Sequence, residues 1–417
     1  MTLMPPLIKT CLLALLLGAL SALPVRATAF VPGPAVSLDL WITWPDESRW
    51  DEPEVLLPFP EWRKSLATDD LQVLVDTGFS MVRLPVDPSV FLSPKTVNLR
   101  EDLFSSLLNS IRLLNAAGLK VMVDLHSIPA GGNRAIGTTQ ILGDDALFDD
   151  YADLVRRMAR LIAGEDPSLV ALELMNEPVI GCEGADAEEW AAKLLRLHAA
   201  ARVAAWDHTL VLSGGCWGSA EGLAALDPRT FADTNVLWSF HSYAPFVLTH
   251  QGATWAGDVA PHLAGLPYPP YGANAAILDS AVADIMARVD RDASYLRRSG
   301  IKAFVTEEIE KIDSREEMEA LLAGPFEIAA AWAKKYGIPA STVFLGEFGM
   351  IRQEYGNDYI VPPEWRAAYY RDMIALADAY GFSWSLWSYG GAFGVVDEFE
   401  NRTAEPAVLD VIRARRR

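Results

Sequence analysis

Apolar residues recur along the chain in short runs, separated by longer segments whose apolar positions repeat with a helical period. The short runs predict strands at 35–42 (AVSLDLWI), 79–85 (FSMVRLP), 119–126 (LKVMVDLH), 169–177 (LVALELMNE), 208–215 (HTLVLSGG), 236–243 (VLWSFHSY), 341–349 (STVFLGEFG) and 382–389 (FSWSLWSY). The longer segments predict helices over 101–117, 147–163, 186–205, 274–299, 315–336 and 364–380. The stretches DTGF and NAAGLK have glycine where a helix ends and turns into the next strand. Eight strands with helices between them predict an α/β fold, the (β/α)8 TIM barrel, with extended βα loops. The rival is an open doubly wound sheet; no G-x-G-x-x-G follows the first strand, which argues against its dinucleotide-binding form. Such a barrel needs about 250 residues. The surplus lies in 244–273, rich in Pro, Gly, Tyr and Trp, and in 300–340, charged and helical. Both read as insertions into a single catalytic domain spanning 30–417.

Composition narrows the function. Apolar side chains make up 51% of the 417 residues, ample for a large core, and the formal charge of −20 makes a poor partner for nucleic acid or an acidic membrane surface. The basic end RARRR (413–417) reads as a solvated tail. At the other end, Lys9 precedes the apolar run CLLALLLGALSAL (11–23) and the small-residue site Ala27-Thr28-Ala29. That order predicts a secretory signal over 1–29, and a secreted or periplasmic protein. The run is short for a membrane span, and no later segment is long and apolar enough for one. Removing 1–29 leaves Cys182 and Cys216, each just past a predicted strand end, where an oxidising compartment permits a disulfide; two free thiols are the alternative.

In a barrel enzyme the chemistry gathers at the C-terminal strand ends. Here those ends carry Arg83, His126, Asn176, Glu177, His241, Tyr243, Glu347 and Trp387. The chain has 6 histidines, and two of them fall in this set. Alternation puts Glu173, Met175 and Glu177 on one face of their strand. With Glu177 at the mouth, Glu173 lies deeper, and a buried carboxylate needs a partner such as Arg83. In the last strand Ser383, Ser385 and Trp387 share the inner face, which sets Trp387 at the cleft floor and Trp384 among the outer helices.

Two carboxylates on facing strands can divide the work of breaking a glycosidic bond. Glu347 would attack the anomeric carbon. Glu177 would protonate the leaving oxygen and later activate water, its proton retained because of the charge on Glu347. Arg83 and Tyr243 would keep Glu347 ionised, Asn176 would grip the sugar 2-hydroxyl, and the Trp387 indole suits the apolar face of a pyranose. No H-E-x-x-H, close histidine pair or G-x-S-x-G is present, so neither a metal nor a serine nucleophile is expected, and no cofactor.

Taken in order, VRLP, DLH, ELMNEP, FHSY, GEFG and WSLWSYGG resemble glycoside hydrolase family 5, the cellulase family, within the retaining (β/α)8 glycosidases. The resemblance implies Glu177 as acid/base and Glu347 as nucleophile, with the other six residues lining the subsite at the cleaved bond. The segment YAPFVLTHQGATW (243–255) is similar to bacterial endoglucanases, which implies that His250 and Trp255 extend the cleft. The first strand departs from the Gly-Asn signature of many members, which leaves the role of Asp39 open and Trp41 and Trp44 as platforms or core. The expected substrate is a β-linked glucan, most directly a β-1,4-glucan cut internally. Rivals are a β-1,3-glucanase, a mannanase, an exo-acting β-glucosidase, or a sugar-binding barrel without catalysis.

Overall fold

The computed structural model describes residues 30–39, 41–60, 68–128, 134–396 and 405–415. The expected secretory segment 1–29 lies outside the described residues.

The strands are β1 (Ala35–Ser37), β2 (Met81–Val86), β3 (Lys120–Leu125), β4 (Val170–Glu173), β5 (Thr209–Ser213), β6 (Val236–His241), β7 (Val343–Glu347) and β8 (Ser383–Leu386). They pair in parallel, in sequence order, and β8 closes on β1. Each falls inside or beside its expected run but is shorter. The run 35–42 pairs regularly only over Ala35–Ser37, and touches β2 again where Ile42 bridges Val86.

The strands are buried on both faces, because helices cover the outside while the interior fills with side chains. At the bottom of the interior Phe30, Ala35, Met81, Met122, Ala171, Val211, Leu237 and Phe344 form a separate apolar cluster. Two positions further along their strands, on the same inner face, stand Ser37, Arg83, Asp124, Glu173, Ser213 and Ser239, all buried. The interior thus changes from apolar to polar within one layer, and chemistry becomes possible only above that step. The small pair Ser37 and Ser385 meets across the β1–β8 seam, Oγ to Oγ at 3.3 Å.

The outer helices include Arg100–Ala116, Asp145–Ile162, Gly184–Arg202, Arg315–Tyr336 and Pro363–Tyr380. Gly118 and Gly381, at φ of 86° and 72°, take the left-handed conformation that ends a helix and frees the chain to enter β3 and β8. Three expectations need correction. The segment 300–340 is not an insertion as a whole. Arg315–Tyr336 is the barrel's own helix between β6 and β7: Phe326 packs edge-on to Phe240, and Trp332 to Trp238, both on β6. The added material is 244–274 with the helices Ala275–Asp292 and Arg298–Glu310; the helix expected over 274–299 ends at Asp292, and the second helix falls almost wholly in the expected 300–340 segment. Nor is the basic end wholly solvated, since Arg415 pairs with Asp378 and lies over the Trp384 ring, 5.6 Å to its centroid. Arg416 and Arg417 lie outside the described residues. Trp384 is buried in the outer layer beside Phe348, as strand alternation predicts.

Candidate active site

Arg83, fully buried on β2, organises the mouth of the barrel. Its Nε donates to Glu173 at 2.7 Å, its Nη1 to Glu347 at 2.6 Å and its Nη2 to Asn176 Oδ1 at 2.8 Å, while Asp124 stands 2.9 Å from Nη2. A planar guanidinium is the side chain that can hold several partners in fixed directions at once. Burial works against its charge, but Asp124, Glu173 and Glu347 outweigh it and hold Arg83 well above its ordinary value. Glu173, expected to brace the site from below, does so. Its own carboxyl is pushed up by burial against the pull of Arg83.

Glu347 ends β7 and is 3% exposed. Arg83 holds one oxygen and the Tyr243 hydroxyl donates to the other at 2.8 Å. Burial favours the neutral acid, yet the charges of His241, Arg83 and His126 and the Tyr243 bond prevail, taking Glu347 down to about 2.

Glu177 reaches the mouth by a route that alternation does not describe. The ladder of β4 stops at Glu173. Beyond it Leu174 N–H still bonds Val211 and Asn176 N–H bonds Leu125, after which Glu177 takes a φ of 38°. That left-handed turn sends the adjacent side chains of Asn176 and Glu177 into the same cleft, where an extended strand would send them to opposite faces. His241 Nδ1 lies 2.9 Å from Glu177 Oε1 and 3.7 Å from Glu347 Oε2. One ligand atom each from Glu177, His241 and Glu347 lies within 4.8 Å of the others. Burial opposes an imidazolium at His241, but the charge of Glu347 and the bond to Glu177 outweigh it and raise the group. The close fit explains Gly346: a Cβ there would stand 2.5 Å from Ser239 Oγ and 2.9 Å from His241 Nε2.

His126 and Trp387 form the opposite wall, with rings stacked at 5.2 Å and 14°. His126 Nδ1 meets Asp124 at 2.7 Å, and Asn176 Nδ2 approaches its Nε2 at 3.3 Å. Asp124 was missed by the sequence reasoning, although an acid inside the apolar run VMVDL was the available signal. All eight expected residues therefore converge on one mouth. His250 does not extend the cleft: it is buried among Tyr243, Phe246, Trp255 and Phe393, and burial lowers it to about 4. Trp255 is 61% exposed and packs on Phe393. Trp41 and Trp44 are core, whereas Asp39 lies at the mouth, its carboxyl bonded to Gly390 N–H. Cys182 and Cys216 are joined, Cα to Cα 5.3 Å, tying the loop after Glu177 to the loop after β5.

Glu177, His241 and Glu347 are the described residues whose ligand atoms converge closely enough for an ion. Their contacts are already taken up by protein donors: Arg83 and Tyr243 on Glu347, His241 on Glu177. The arrangement is a pair of carboxyls in different surroundings, one held ionised among cations and hydroxyls, the other reaching solvent with a side chain 26% exposed. Such a pair can supply negative charge and a proton to opposite sides of one bond.

The chain is similar to known proteins in sequence and in fold. The family model for cellulase, glycosyl hydrolase family 5, matches residues 51–393. Endoglucanase 3 of Fibrobacter succinogenes is 24% identical over 343 residues, 80% of this chain and 47% of that protein, so the chain spans about half the length of this relative. Endoglucanase C of Acetivibrio thermocellus is 22% identical over 77% of this chain and 82% of its own. Among solved structures, Thermotoga maritima Cel5A in complex with cellobiose superposes with a TM-score of 0.63 at 18% identity, covering 92% of this chain and 97% of that one. The cellulose synthase subunit Z of Clostridioides difficile superposes with a TM-score of 0.63 at 18% identity over 92% and 99%. With the family model spanning most of the barrel, the chain belongs to glycosyl hydrolase family 5, the cellulase family, and is a glycosidase.

Proposed function

We propose that the protein is a retaining endo-β-1,4-glucanase that acts outside the cytoplasm on a β-glucan. The observation that carries this reading is the approach of Glu177 and Glu347, an oxygen of one lying within 4.8 Å of an oxygen of the other. Retaining glycosidases hold their two carboxyl groups about 5–5.5 Å apart, whereas inverting enzymes need roughly 6.5–9.5 Å to admit a water.

In the first step Glu347 attacks the anomeric carbon while Glu177 gives its proton to the departing glycosidic oxygen. The C–O bond to the leaving sugar breaks as the bond to Glu347 forms, leaving a covalent glycosyl-enzyme and a Glu177 carboxylate. In the second step Glu177 takes a proton from water, the hydroxide attacks the same carbon, and Glu347 departs with its electron pair. Two inversions return the β configuration. Arg83 and Tyr243 keep Glu347 an anion ready to attack. His241, between the two carboxyls, fixes the direction of the Glu177 proton. Asn176 and His126 offer hydrogen bonds to the sugar in the cleaved-bond subsite, with Trp387 as its apolar platform.

The endoglucanase names of the relatives support internal cuts in a glucan, and the cellulase family supports the β-1,4 linkage. The leader expected over 1–29 supports export. The test is reducing-end release from carboxymethyl-cellulose, laminarin and mannan in parallel, with product sizing and proton NMR of the first anomer formed. Internal cuts in carboxymethyl-cellulose with β product first are expected. An α anomer as first product would refute double displacement, and preference for laminarin or mannan would refute the β-1,4-glucan assignment.

A further inference from the structure

The end of β1 holds an acid that the proposed reaction does not use. Asp39 is 8% exposed, and its hydrogen-bond partners are neutral: Oδ1 accepts from Gly390 N–H at 3.1 Å, and the Ser388 hydroxyl also reaches the carboxyl. A buried acid is a costly way to accept one N–H, since an amide would do so without charge. Its place in the sheet shows what it supports. The β8–β1 seam ends where Tyr389 N–H donates to the Ser37 carbonyl at 2.9 Å. Beyond that point β1 has turned away, and the Asp39 side chain takes the next N–H of the β8 loop. The segment so held, 387–390, carries the Trp387 indole that lies flat against His126.

We propose that Asp39 is a positioning residue that, through Gly390 and Ser388, fixes the segment bearing Trp387 and so sets the tilt of the sugar platform beside Glu177 and Glu347. This rests on the reading of Trp387 as that platform.

The hydrogen bonds close when Asp39 is protonated. One oxygen then accepts from Gly390 N–H, and the hydroxyl donates to Ser388 Oγ, whose own hydrogen goes to the Gly390 carbonyl at 2.8 Å. In the ionised form the single hydrogen of Ser388 must serve either Asp39 or Gly390. Burial raises Asp39 to about 7, against the Gly390 amide, the Ser388 hydroxyl, its own main-chain amide and the charge of His126 facing it from β3. The sign follows: below about pH 7 the acid is protonated and all three bonds are made, whereas above it the Gly390 N–H bond stays, one bond of Ser388 is given up beside a buried charge, and the segment is held less firmly.

The test uses 2,4-dinitrophenyl β-cellobioside, whose leaving group departs without a proton, so that Glu177 does not set the alkaline limb. Wild-type kcat/KM is expected to fall about tenfold through a midpoint near pH 7, the scale of one buried hydrogen bond. Asp39→Asn, which keeps both an accepting oxygen and a donor to Ser388, should retain turnover at about pH 5.5 and lose that midpoint. Asp39→Ala should lose roughly tenfold to a hundredfold at every pH. A midpoint unchanged in Asp39→Asn, or full activity in Asp39→Ala, would overturn the proposal. Near-UV circular dichroism of the tryptophans, titrated through pH 7 without substrate, should show the transition in wild type and not in Asp39→Asn. This second readout stands even if the protein cleaves a different sugar, which separates failure of this inference from failure of the substrate assignment.

Discussion

Arg83 Nη1 and Glu347 Oε1 meet at 2.6 Å although 264 positions separate them in the chain. Through this contact β2 and β7 share one charge system, which continues through Arg83 to Glu173 and Asp124. Arg83→Ala would leave three buried carboxylates facing one another, with His126 beside Asp124 and His241 beside Glu347 as the basic groups that remain. Breaking a buried pair in this way costs about 3–5 kcal/mol. Urea unfolding should show that loss, and Arg83→Lys should recover only part of it, because one ammonium cannot reach Glu173, Asn176 and Glu347 in three directions. Full recovery by lysine would show that charge alone matters.

The role of Glu177 separates from that of Glu347 by leaving group. Glu177→Ala is expected to lower kcat on oligosaccharides by about 10²–10⁴-fold. On 2,4-dinitrophenyl β-cellobioside the first step should be nearly spared, with a burst of dinitrophenolate followed by slow hydrolysis of the intermediate. Glu347→Ala should show neither burst nor turnover on either substrate, yet still bind oligosaccharide in calorimetry. Equal losses on both substrates in Glu177→Ala would remove its assignment as the acid.

Glu347 also predicts how stability responds to acid. Its folded value, about 2, lies below the ordinary carboxylate range of the unfolded chain. A depressed acid contributes stability that is fully present above the unfolded value and is lost as pH falls through the folded one. The difference in unfolding free energy between wild type and Glu347→Gln should therefore be constant near neutrality and shrink between about pH 4.5 and 2. A difference that stays flat across that window would mean that the cations around Glu347 do not hold it ionised.

The bond between Cys182 and Cys216 closes a loop across 34 positions. Cross-linking a loop of this size removes about 3–4 kcal/mol of unfolded-state entropy. Cys182→Ser with Cys216→Ser should unfold at correspondingly lower denaturant. Non-reducing peptide mapping of protein purified without reductant should recover the two cysteines on one linked fragment. Free thiols at both positions would rule the bridge out.

The fold was legible because each strand is buried on both faces and so reads as an apolar run, while the helices carry their own period. Arg83, Glu173 and Glu347 were legible too, since charged groups inside apolar strands have no other reason to be there, and Asp124 obeyed the same rule unnoticed. Alternation failed at Glu177, where a residue with φ of 38° replaces the strand. No local pattern announces such a turn.

The sequence by itself determined the barrel and the identities of the groups at the rim, because burial periodicity is local and survives without the third dimension. Tertiary structure alone decided which of those groups touch. It set His241 between two glutamates, drew His250 into the packing, turned Arg315–Tyr336 into a barrel helix and brought Asp39 under the Trp387 segment. Those choices depend on closure of β8 against β1 and on loop paths between strands, which join residues hundreds of positions apart and leave no periodic trace along the chain.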